Sequence, residues 1–178
     1  MAARADAAAR TRQRILAAAV ELAGERFLDE ISLDDIARRA GVAVRTVIRR
    51  FGSRANLVAA AFEEANAQVS NRRDETPPGD LGDAVDALFD DYERWGDPLL
   101  MLLAQEQRHA ELEPLLEDGR ELHRDWVERV FSPRDELHMA QLVAATDVYV
   151  WKLLRRDMKL SRSRAAAALL DMIERLVG

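Results

Sequence analysis

Apolar residues along this chain recur every three to four positions, and no stretch alternates with the period of two that is typical of a half-buried β-strand. Ser, Asp, Gly and Pro punctuate this pattern and mark where helices begin and end. The pattern therefore predicts an all-α protein of about nine helices. We expect these helices at residues 10–27, 33–40, from 43 or 44 to 51, 54–72, 80–95, 98–111, 114–131, 133–157 and 162–177.

Two short helix patterns follow each other in residues 32–54 and are separated by a glycine. The Ser32 hydroxyl can accept the backbone N–H of residue 35 and begin a helix, and Gly41 can adopt the left-handed conformation that ends it. The second pattern begins near residue 43 or 44 and turns three apolar side chains inward. This arrangement is typical of a helix-turn-helix, which places its second helix in the major groove of DNA.

The outward face of that second helix carries groups that can contact DNA. Guanidinium groups bind phosphates and guanine edges, and a threonine hydroxyl can bond to a base edge. After Gly52, Ser53 is expected to cap a fourth helix, in whose first turn Arg54 and free backbone N–H groups can hold a phosphate. The predicted DNA-binding residues are Ser32, Val44, Arg45, Thr46, Ile48, Arg49, Arg50 and Arg54.

The N-terminal helix is expected to support this motif from behind. Its predicted buried stripe comprises Ile15, Leu16, Ala19, Val20, Ala23 and Phe27. Residues 1–9 are rich in Ala and lack apolar periodicity, so we expect a loose tail there. The arginines at this end could reach phosphates or the minor groove, or could belong to a solvated helix start. They are Arg4, Arg10, Arg12 and Arg14.

Several sequence segments in this region occur together at characteristic spacings. They are Thr-Arg-Gln-Arg-Ile-Leu at 11–16, Ser-Leu-Asp-Asp-Ile-Ala-Arg-Arg-Ala-Gly-Val at 32–42, Thr46, Phe-Gly-Ser-Arg at 51–54, and Leu57. With these segments, residues 11–64 resemble the N-terminal domain of the tetracycline-repressor (TetR) family of bacterial transcriptional regulators. The resemblance implies a DNA-reading domain followed by a helical domain that dimerises and binds a small molecule.

The chain departs from the usual pattern of that family at three positions in the motif. The family usually has Ser, Tyr and His where this chain has Ala43, Ile48 and Arg50. The loss of Tyr removes a hydroxyl that can reach a phosphate, whereas Arg50 provides a permanent positive charge. The base preference at Ile48 is expected to differ, because an aliphatic tip can touch only a thymine methyl group or nothing.

The charge distribution supports a DNA-binding N-terminal module despite a net charge of −6. Residues 1–55 hold 11 Arg and 7 Asp plus Glu, which gives 11 − 7 = +4. Residues 56–178 hold 15 Lys plus Arg and 25 Asp plus Glu, which gives 15 − 25 = −10. A basic module on an acidic body can bind DNA locally.

Composition excludes several other classes of protein and site. The chain contains no Cys, which excludes disulfides and thiolate metal sites. It shows no apolar run long enough for a membrane span and no signal-peptide core, so we expect a cytoplasmic protein. It also lacks a phosphate-binding loop, a nucleophile beside a base, and paired metal-ligand spacing. We therefore predict no enzyme activity, no cofactor and no metal.

The prolines of the segment 74–79 mark the clearest break in the chain. We predict a DNA-binding domain at 1–53, a connecting helix and linker at 54–79, and an effector-binding and dimerisation domain at 80–178. The family resemblance implies that the last two helices form a four-helix bundle with a second subunit, although they could be ordinary core helices of a monomer. The predicted dimer-interface residues are Leu142, Val150, Leu154, Ala165, Leu169, Met172, Ile173 and Leu176.

Aromatic and histidine residues are concentrated in the second predicted domain and could line a pocket for a flat or apolar effector. Each of them could instead be an ordinary core residue. The predicted ligand-binding residues are Phe89, Tyr92, Trp95, His109, His123, Trp126, Tyr149 and Trp151. The identity of the small-molecule effector is not visible in the sequence.

Together these patterns predict a ligand-responsive repressor that binds a palindromic operator in double-stranded DNA as a homodimer. The alternative is a helical interaction protein whose helix-turn-helix is only structural. That alternative predicts no salt-sensitive binding to duplex DNA.

Overall fold

A computed structural model describes residues 2–178, except for the side chains of residues 2–4. Within this range all regular elements are helical, which confirms the predicted all-α class. There are eight α-helices of eight or more residues and one of five in the described part of the chain. They are α1 Ala2–Glu25, α2 Leu33–Ala40, α3 Val44–Phe51, α4 Arg54–Asp74, α5 Leu81–Leu103, α6 Leu112–Phe131, α7 Glu136–Ala145, α8 Val148–Lys152 and α9 Arg162–Val177.

The chain divides into two compact units, and the divisions fall inside helices. The first unit comprises Met1–Ala65 and Met101–Leu115, and the second comprises Asn66–Leu100 and Leu116–Gly178. None of the described helices is long and apolar enough to cross a membrane.

Helix α1 begins at Ala2, so residues 2–9 do not form the expected loose tail and agree with the alternative of a helix start. An Ala-rich segment needs no apolar face to be helical, because Ala has the highest intrinsic helix propensity. The helix ends at Glu25, before Phe27. Phe27 is consequently 43% exposed and is not part of the predicted stripe, whereas the following residue, Leu28, is buried in the 3₁₀ turn Leu28–Glu30.

The core of the first unit is formed by apolar stripes of its helices. Ile15, Leu16 and Leu22 of α1 are buried, as are Ile36 and Ala37 of α2. Val47 of α3 and Leu57 of α4 complete this core, and each is fully inaccessible to solvent. These stripes have the three-to-four spacing read from the sequence, which is why α2 has its predicted bounds and α3 nearly so.

Two predicted helices at residues 80–95 and 98–111 are one continuous helix, α5, which contains Pro98. A proline inside a helix removes one backbone hydrogen bond. Burial of Phe89 and Tyr92 before the proline and of Leu102 after it holds both halves of α5 in helical conformation. The 3₁₀ turn Glu106–Arg108 then precedes α6.

The predicted helix at 133–157 is divided in two. Asp135 caps α7 by accepting the backbone N–H of His138, and Asp147 caps α8 by accepting that of Tyr149 at 2.8 Å. The Thr146 hydroxyl donates back to the carbonyl of Leu142, which helps to end α7. Helix α8 continues as a π-helical turn, Leu153–Asp157.

The segment between α4 and α5 is fixed to the second unit. The Gly79 N–H donates to the carbonyl of Val130 at 2.9 Å, and Arg129 donates to the carbonyl of Thr76 at 3.0 Å. Gly79 has a φ of 82°, a conformation that glycine adopts at little cost. The paired prolines therefore form part of a defined turn.

Candidate nucleic-acid interface

Helix α2 begins at Ser32 with a capping box. The Ser32 hydroxyl accepts the Asp35 N–H at 3.1 Å, and the Asp35 carboxylate accepts the Ser32 N–H at 3.1 Å. These bonds lower the pKa of Asp35, because Ser32 donates to the carboxylate from its side chain and backbone. Ser32 is itself exposed, but its hydroxyl already serves the helix start.

The turn between α2 and α3 is closed by an arginine from α1. Arg14 donates to the carbonyls of Ala40 and Gly41, the second at 3.1 Å, and so satisfies carbonyl groups at the end of α2. Gly41 has a φ of 64°, and a Cβ there would lie 2.8 Å from the Arg14 Nη2 atom. Arg14 is therefore used inside the motif, and the positive φ of Gly41 favours glycine at this position.

The other N-terminal arginines have different environments. Arg12 forms an ion pair with Glu64 at 2.9 Å. Arg10 is exposed, and the structure gives it no hydrogen bond or ion pair with any described residue. Arg4 lies outside the described side chains.

Helix α3 turns one face into the core and leaves its charges on the other. Val47 is fully buried, Val44 and Thr46 are half-buried, and Ile48 is 48% exposed. Arg45, Arg49 and Arg50 are exposed and form no hydrogen bond or ion pair within the described part of the chain. Three guanidinium groups on one short helix are therefore free to bind an external partner.

The start of α3 adds further donors to this surface. Ala43 occupies the position before the helix and provides no side-chain acceptor for the first backbone N–H groups. Such uncapped N–H groups, together with the helix dipole, attract anions. The surface around the start of α3 thus combines backbone donors with arginine side chains, both of which can bind phosphate.

Arg54, at the start of α4, is bound within the first unit. It donates to the carbonyl of Leu28 at 2.6 Å and lies 3.6 Å from the Asp29 carboxylate. This arginine therefore connects α4 to the 3₁₀ turn before α2. Contact of Arg54 with DNA remains a prediction, whereas its bond to the Leu28 carbonyl gives it a structural role.

Gln105 is a buried residue of this unit that the sequence did not reveal. Its side-chain oxygen accepts the Leu28 N–H at 2.8 Å, and its side-chain nitrogen donates to the carbonyl of Met101 at 2.6 Å. Leu28 and Gln105 are 77 positions apart, so no local pattern could have indicated this bond. The segment Met101–Leu115 is thereby attached to the turn that precedes the helix-turn-helix.

The predicted ligand-binding residues do not all come together. His109 belongs to the first unit, where its ring nitrogens lie 3.5 Å from the carboxylates of Asp29 and Glu111. In the second unit, Tyr92 and Trp151 pack with ring centroids 6.0 Å apart, and His123 and Trp126 with centroids 5.8 Å apart. The remaining three are scattered: Phe89 is fully buried, Trp95 is half-buried and Tyr149 is exposed.

A buried polar network connects several of these side chains. Arg73 donates to Asp91 at 2.9 Å and to the His123 Nδ1 atom at 3.0 Å. The His123 Nε2 atom lies 3.0 Å from the Thr146 hydroxyl, and the Tyr92 hydroxyl donates to the Thr146 carbonyl at 3.0 Å. The groups of this network therefore satisfy one another within the second unit.

Burial perturbs the acid–base behaviour of this network. Burial, reinforced by the charge of Arg73, lowers the pKa of His123 to about 3, although a minor part of the residue remains accessible to solvent. Burial also raises the pKa of Asp91, because desolvation outweighs the attraction of Arg73. The pKa of Tyr92 is raised for the same reason. At neutral pH, His123 is consequently neutral.

A cleft of about 510 Å³ lies beside this network, between α4 and α6. Trp126 is the predicted ligand-binding residue that lines it, and Arg73 lies over the Trp126 ring at 4.8 Å from the centroid. The cleft is also lined by three acidic residues of α6, namely Asp118, Glu121 and Asp125.

The predicted dimer-interface residues fall into two groups. Most are already buried by the chain itself: Leu142, Leu154, Ala165, Leu169 and Ile173. Val150 and Leu176 are half-buried, and Met172 is 40% exposed. On α9, the stripe Ala165, Leu169 and Ile173 faces the core of the second unit, whereas the neighbouring stripe Ala168, Met172 and Leu176 remains accessible.

Comparisons with known proteins show similarity to bacterial regulators in the N-terminal sequence and in the fold. Residues 15–61 match the family model described as bacterial regulatory proteins, tetR family. The whole fold is similar to a tetR-family transcriptional regulator from Streptomyces coelicolor, with a TM-score of 0.74, 19% identity, and coverage of 93% of this chain and 79% of that one.

Two further solved structures have a similar fold. A transcriptional regulator from Rhodococcus sp. Rha1 has a TM-score of 0.74 at 19% identity, covering 93% of this chain and 95% of the other. Salmonella enterica GusR has a TM-score of 0.72 at 17% identity, covering 94% and 95% respectively. No curated protein sequence matches this chain.

Proposed function

We infer, from the match of residues 15–61 to the model of bacterial regulatory proteins, tetR family, that the chain is a ligand-responsive repressor of that family. It binds a palindromic DNA operator as a homodimer. In this proposal residues 1–53 form the DNA-binding domain and residues 80–178 form the domain that binds the effector and dimerises. Residues 54–79 are the helix and linker that connect the two. A regulator of this kind acts on DNA in the cytoplasm.

One observation carries the DNA-binding part of the proposal, namely the free arginines of α3. Arg45, Arg49 and Arg50 are exposed and unpaired within the described residues, although the chain as a whole is acidic. Free guanidinium groups on a short helix of a helix-turn-helix suit phosphate anchoring and base-edge recognition. Arg45 and Thr46, in the first turn, are proposed to read bases, and Arg49 and Arg50 to bind phosphates.

Three further predicted residues are proposed to take part in DNA binding. Val44 lies in the first turn of α3, beside the residues proposed to read bases. Ser32 and Arg54 are proposed to contact the DNA backbone from the starts of α2 and α4. Because both already make bonds within the unit, their contribution to DNA affinity is expected to be smaller than that of Arg49 or Arg50.

Two features support the proposed homodimer: the shortness of the reading helix and the apolar surface of the last helices. One eight-residue helix reads too few base pairs for specificity, and two-fold symmetry doubles the site. We propose that a second copy covers the accessible stripe Ala168, Met172 and Leu176 of α9. Tyr149 and Leu153 are exposed apolar residues of the preceding segment and are proposed to contribute.

A pair of glutamate variants tests the dimer surface. Met172→Glu is expected to remain folded and to dissociate the dimer, because it places a charge in the proposed interface. Leu169→Glu is expected to prevent folding, because Leu169 is only 1% exposed within one chain and the carboxylate would be buried without a partner. Light scattering and circular dichroism distinguish the two results. A folded Met172→Glu dimer would exclude this stripe as the interface.

The effector is proposed to bind in the second unit beside the buried polar network. The cleft of about 510 Å³ lined by Trp126 has the size of a small-molecule site. In this mechanism the two DNA-binding domains of the dimer can adopt two spacings, of which one fits the operator. The effector needs to favour the other spacing by only a few kcal/mol in order to release the operator. Of the predicted ligand-binding residues, the one proposed to contact the effector besides Trp126 is then His123, whose ring centroid lies 5.8 Å from that of Trp126.

Selection of bound duplexes from a random DNA pool tests the proposal as a whole. We expect an enriched palindrome with half-sites about one helical turn apart. Titration of that duplex and of a scrambled duplex at several salt concentrations then measures specificity and phosphate contacts. Weak binding that salt abolishes, with no enriched sequence, would favour the alternative in which the helix-turn-helix is only structural.

A further inference from the structure

We propose that Ile48 is a specificity-determining residue that contacts the 5-methyl group of a thymine in each operator half-site. The inference rests on the proposed function, and it assigns a chemical group to one side chain of the reading helix. Ile48 is an apolar residue on the outward face of α3, which otherwise carries arginines.

The position of Ile48 makes it a candidate for base contact. It lies on α3 three residues after Arg45, and residues with this spacing are neighbours on a helix surface. Its side chain is 48% exposed, whereas Val47, the preceding residue, is completely buried. Ile48 therefore does not complete the core of the first unit as Val47 does, and an apolar group projects from the surface proposed to enter the groove.

The chemistry of the major groove limits what an isoleucine can contact there. Guanine, adenine and cytosine present hydrogen-bond donors and acceptors along the groove, and thymine adds a methyl group at C5. An isoleucine can form no hydrogen bond, so it gains free energy only by burying apolar surface. The thymine 5-methyl group is the apolar group that base pairs offer in this groove.

The surroundings of Ile48 argue against an apolar protein partner at the same position. Arg45, Arg49 and Arg50 are exposed on the same helix and unpaired within the described residues. A protein partner that covered Ile48 with apolar side chains would also desolvate these guanidinium groups, at high cost in free energy. DNA provides phosphates for the arginines and a methyl group for the isoleucine, so it satisfies both kinds of group together.

Replacement of single thymines by deoxyuridine tests this assignment, because it removes the 5-methyl group and changes no hydrogen-bonding atom. The full-length protein is titrated with the selected operator and with operators that carry deoxyuridine at each thymine of both half-sites in turn. At one thymine position we expect deoxyuridine to weaken binding about fourfold when it replaces thymine in one half-site, and about fifteenfold when it does so in both. These factors correspond to the loss of one buried methyl-sized group in each half-site. A deoxyuridine outside the half-sites is the control on the DNA.

Two variants connect that thymine to Ile48. Ile48→Ala is expected to bind the thymine and deoxyuridine operators equally, and Ile48→Val to discriminate between them by an intermediate factor. The salt dependence of Ile48→Ala binding should equal that of the unchanged protein, because no phosphate contact is lost. Its thermal unfolding should also be unchanged, since Ile48 is not a core residue.

The possible results separate this inference from the proposed function. An operator that is insensitive to methyl removal at every half-site thymine overturns the role of Ile48 but leaves sequence-specific binding intact. The role is also overturned if Ile48→Ala still distinguishes thymine from deoxyuridine as well as the unchanged protein does. Failure to enrich any duplex overturns the proposed function, and this assignment with it.

Discussion

Many arginine residues of the second unit are paired within the chain, whereas the arginine residues of α3 in the first unit are not. In the second unit, Arg73 is buried against Asp91, Arg156 pairs with Asp97 at 2.8 Å, and Arg162 pairs with Asp90 at 2.7 Å. On α3 of the first unit, three arginines have no partner among the described residues. The same side chain therefore stabilises the fold in one place and is left for an external ligand in the other.

The difference follows from where the acidic residues lie. Residues 56–178 contain 25 acidic and 15 basic side chains, and many arginines there pair with a carboxylate, as Arg155 does with Glu93 and Arg175 with Asp171. The acidic residues of the N-terminal module are used elsewhere, as when Glu21 and Glu25 bind Arg39 of α2. None of them reaches the outward face of α3. Net charge alone would have obscured this local excess of positive charge.

The largest expected loss of stability comes from removing the carboxylate that pairs with the buried Arg73. Asp91→Ala should lower the free energy of unfolding by about 3–5 kcal/mol, because Arg73 would remain buried without a counter-charge. Asp90→Ala is the matched control, since Asp90 is exposed and its ion pairs are worth at most about 1 kcal/mol. Thermal or urea unfolding measures both. Equal losses in the two variants would contradict a special role for the buried pair.

The next effect concerns pH and the neutral histidine of the same network. The pKa of His123 is lowered to about 3 in the folded state, below its value of about 6.5 in an unfolded chain. Between these values the unfolded state binds a proton that the folded state does not. This contribution to stability is therefore present above about pH 6.5 and is lost as the pH falls towards 3.

Replacing this residue should make stability less dependent on pH. When the pH falls from 7 to 4.5, the free energy of unfolding of His123→Gln should fall by less than that of the unchanged protein. The difference between the two changes should be on the order of 2 kcal/mol. The charged groups next to His123, Arg73 and its partner Asp91, are present in both proteins. The raised pKa of Asp91 acts in the opposite direction in both, so it cancels in the difference to a first approximation. Parallel stability curves for the two proteins would reject the assigned role of His123.

The smallest effect on stability, and the sharpest contrast, is expected on α3. Arg49→Ala should change the free energy of unfolding by no more than about 0.5 kcal/mol, because Arg49 has no partner to lose. It should weaken operator binding roughly tenfold and lower the salt dependence by about two phosphate contacts per dimer. Arg26→Ala is the control, because the Arg26 side chain is exposed and forms no hydrogen bond within the described residues but lies outside α3, where its charge acts on Glu25 and Asp35. If both variants bind alike, α3 is not the reading helix.

Local signals were sufficient where the chain decides its structure within a few residues. Ser32 begins α2 and Gly41 ends it as their chemistry requires, because a cap and a left-handed turn involve only neighbouring backbone groups. The exposed arginines of α3 followed from helical periodicity in the same way. At Pro98, by contrast, the local pattern predicts the start of a new helix. In the structure α5 continues through Pro98, because apolar residues on both sides of it are packed.

Contacts between distant residues could not be read from the sequence. The bonds of Gln105 to Leu28 and of Arg54 to the Leu28 carbonyl depend on how helices pack, and polar residues in the sequence carry no mark of such partners. For the same reason Leu169 and Met172 have the same apolar character in the sequence, but only the packed chain buries one and leaves the other accessible.

The sequence by itself therefore determined the all-helical class, the helix-turn-helix and the positive charge of its second helix, because periodicity, capping and local charge act over a few residues. The tertiary structure decided which apolar stripe of α9 is covered, which arginines are already paired, and which histidine is kept neutral. Those outcomes depend on burial and on the distance between groups far apart in the chain, and both are set only when the helices pack.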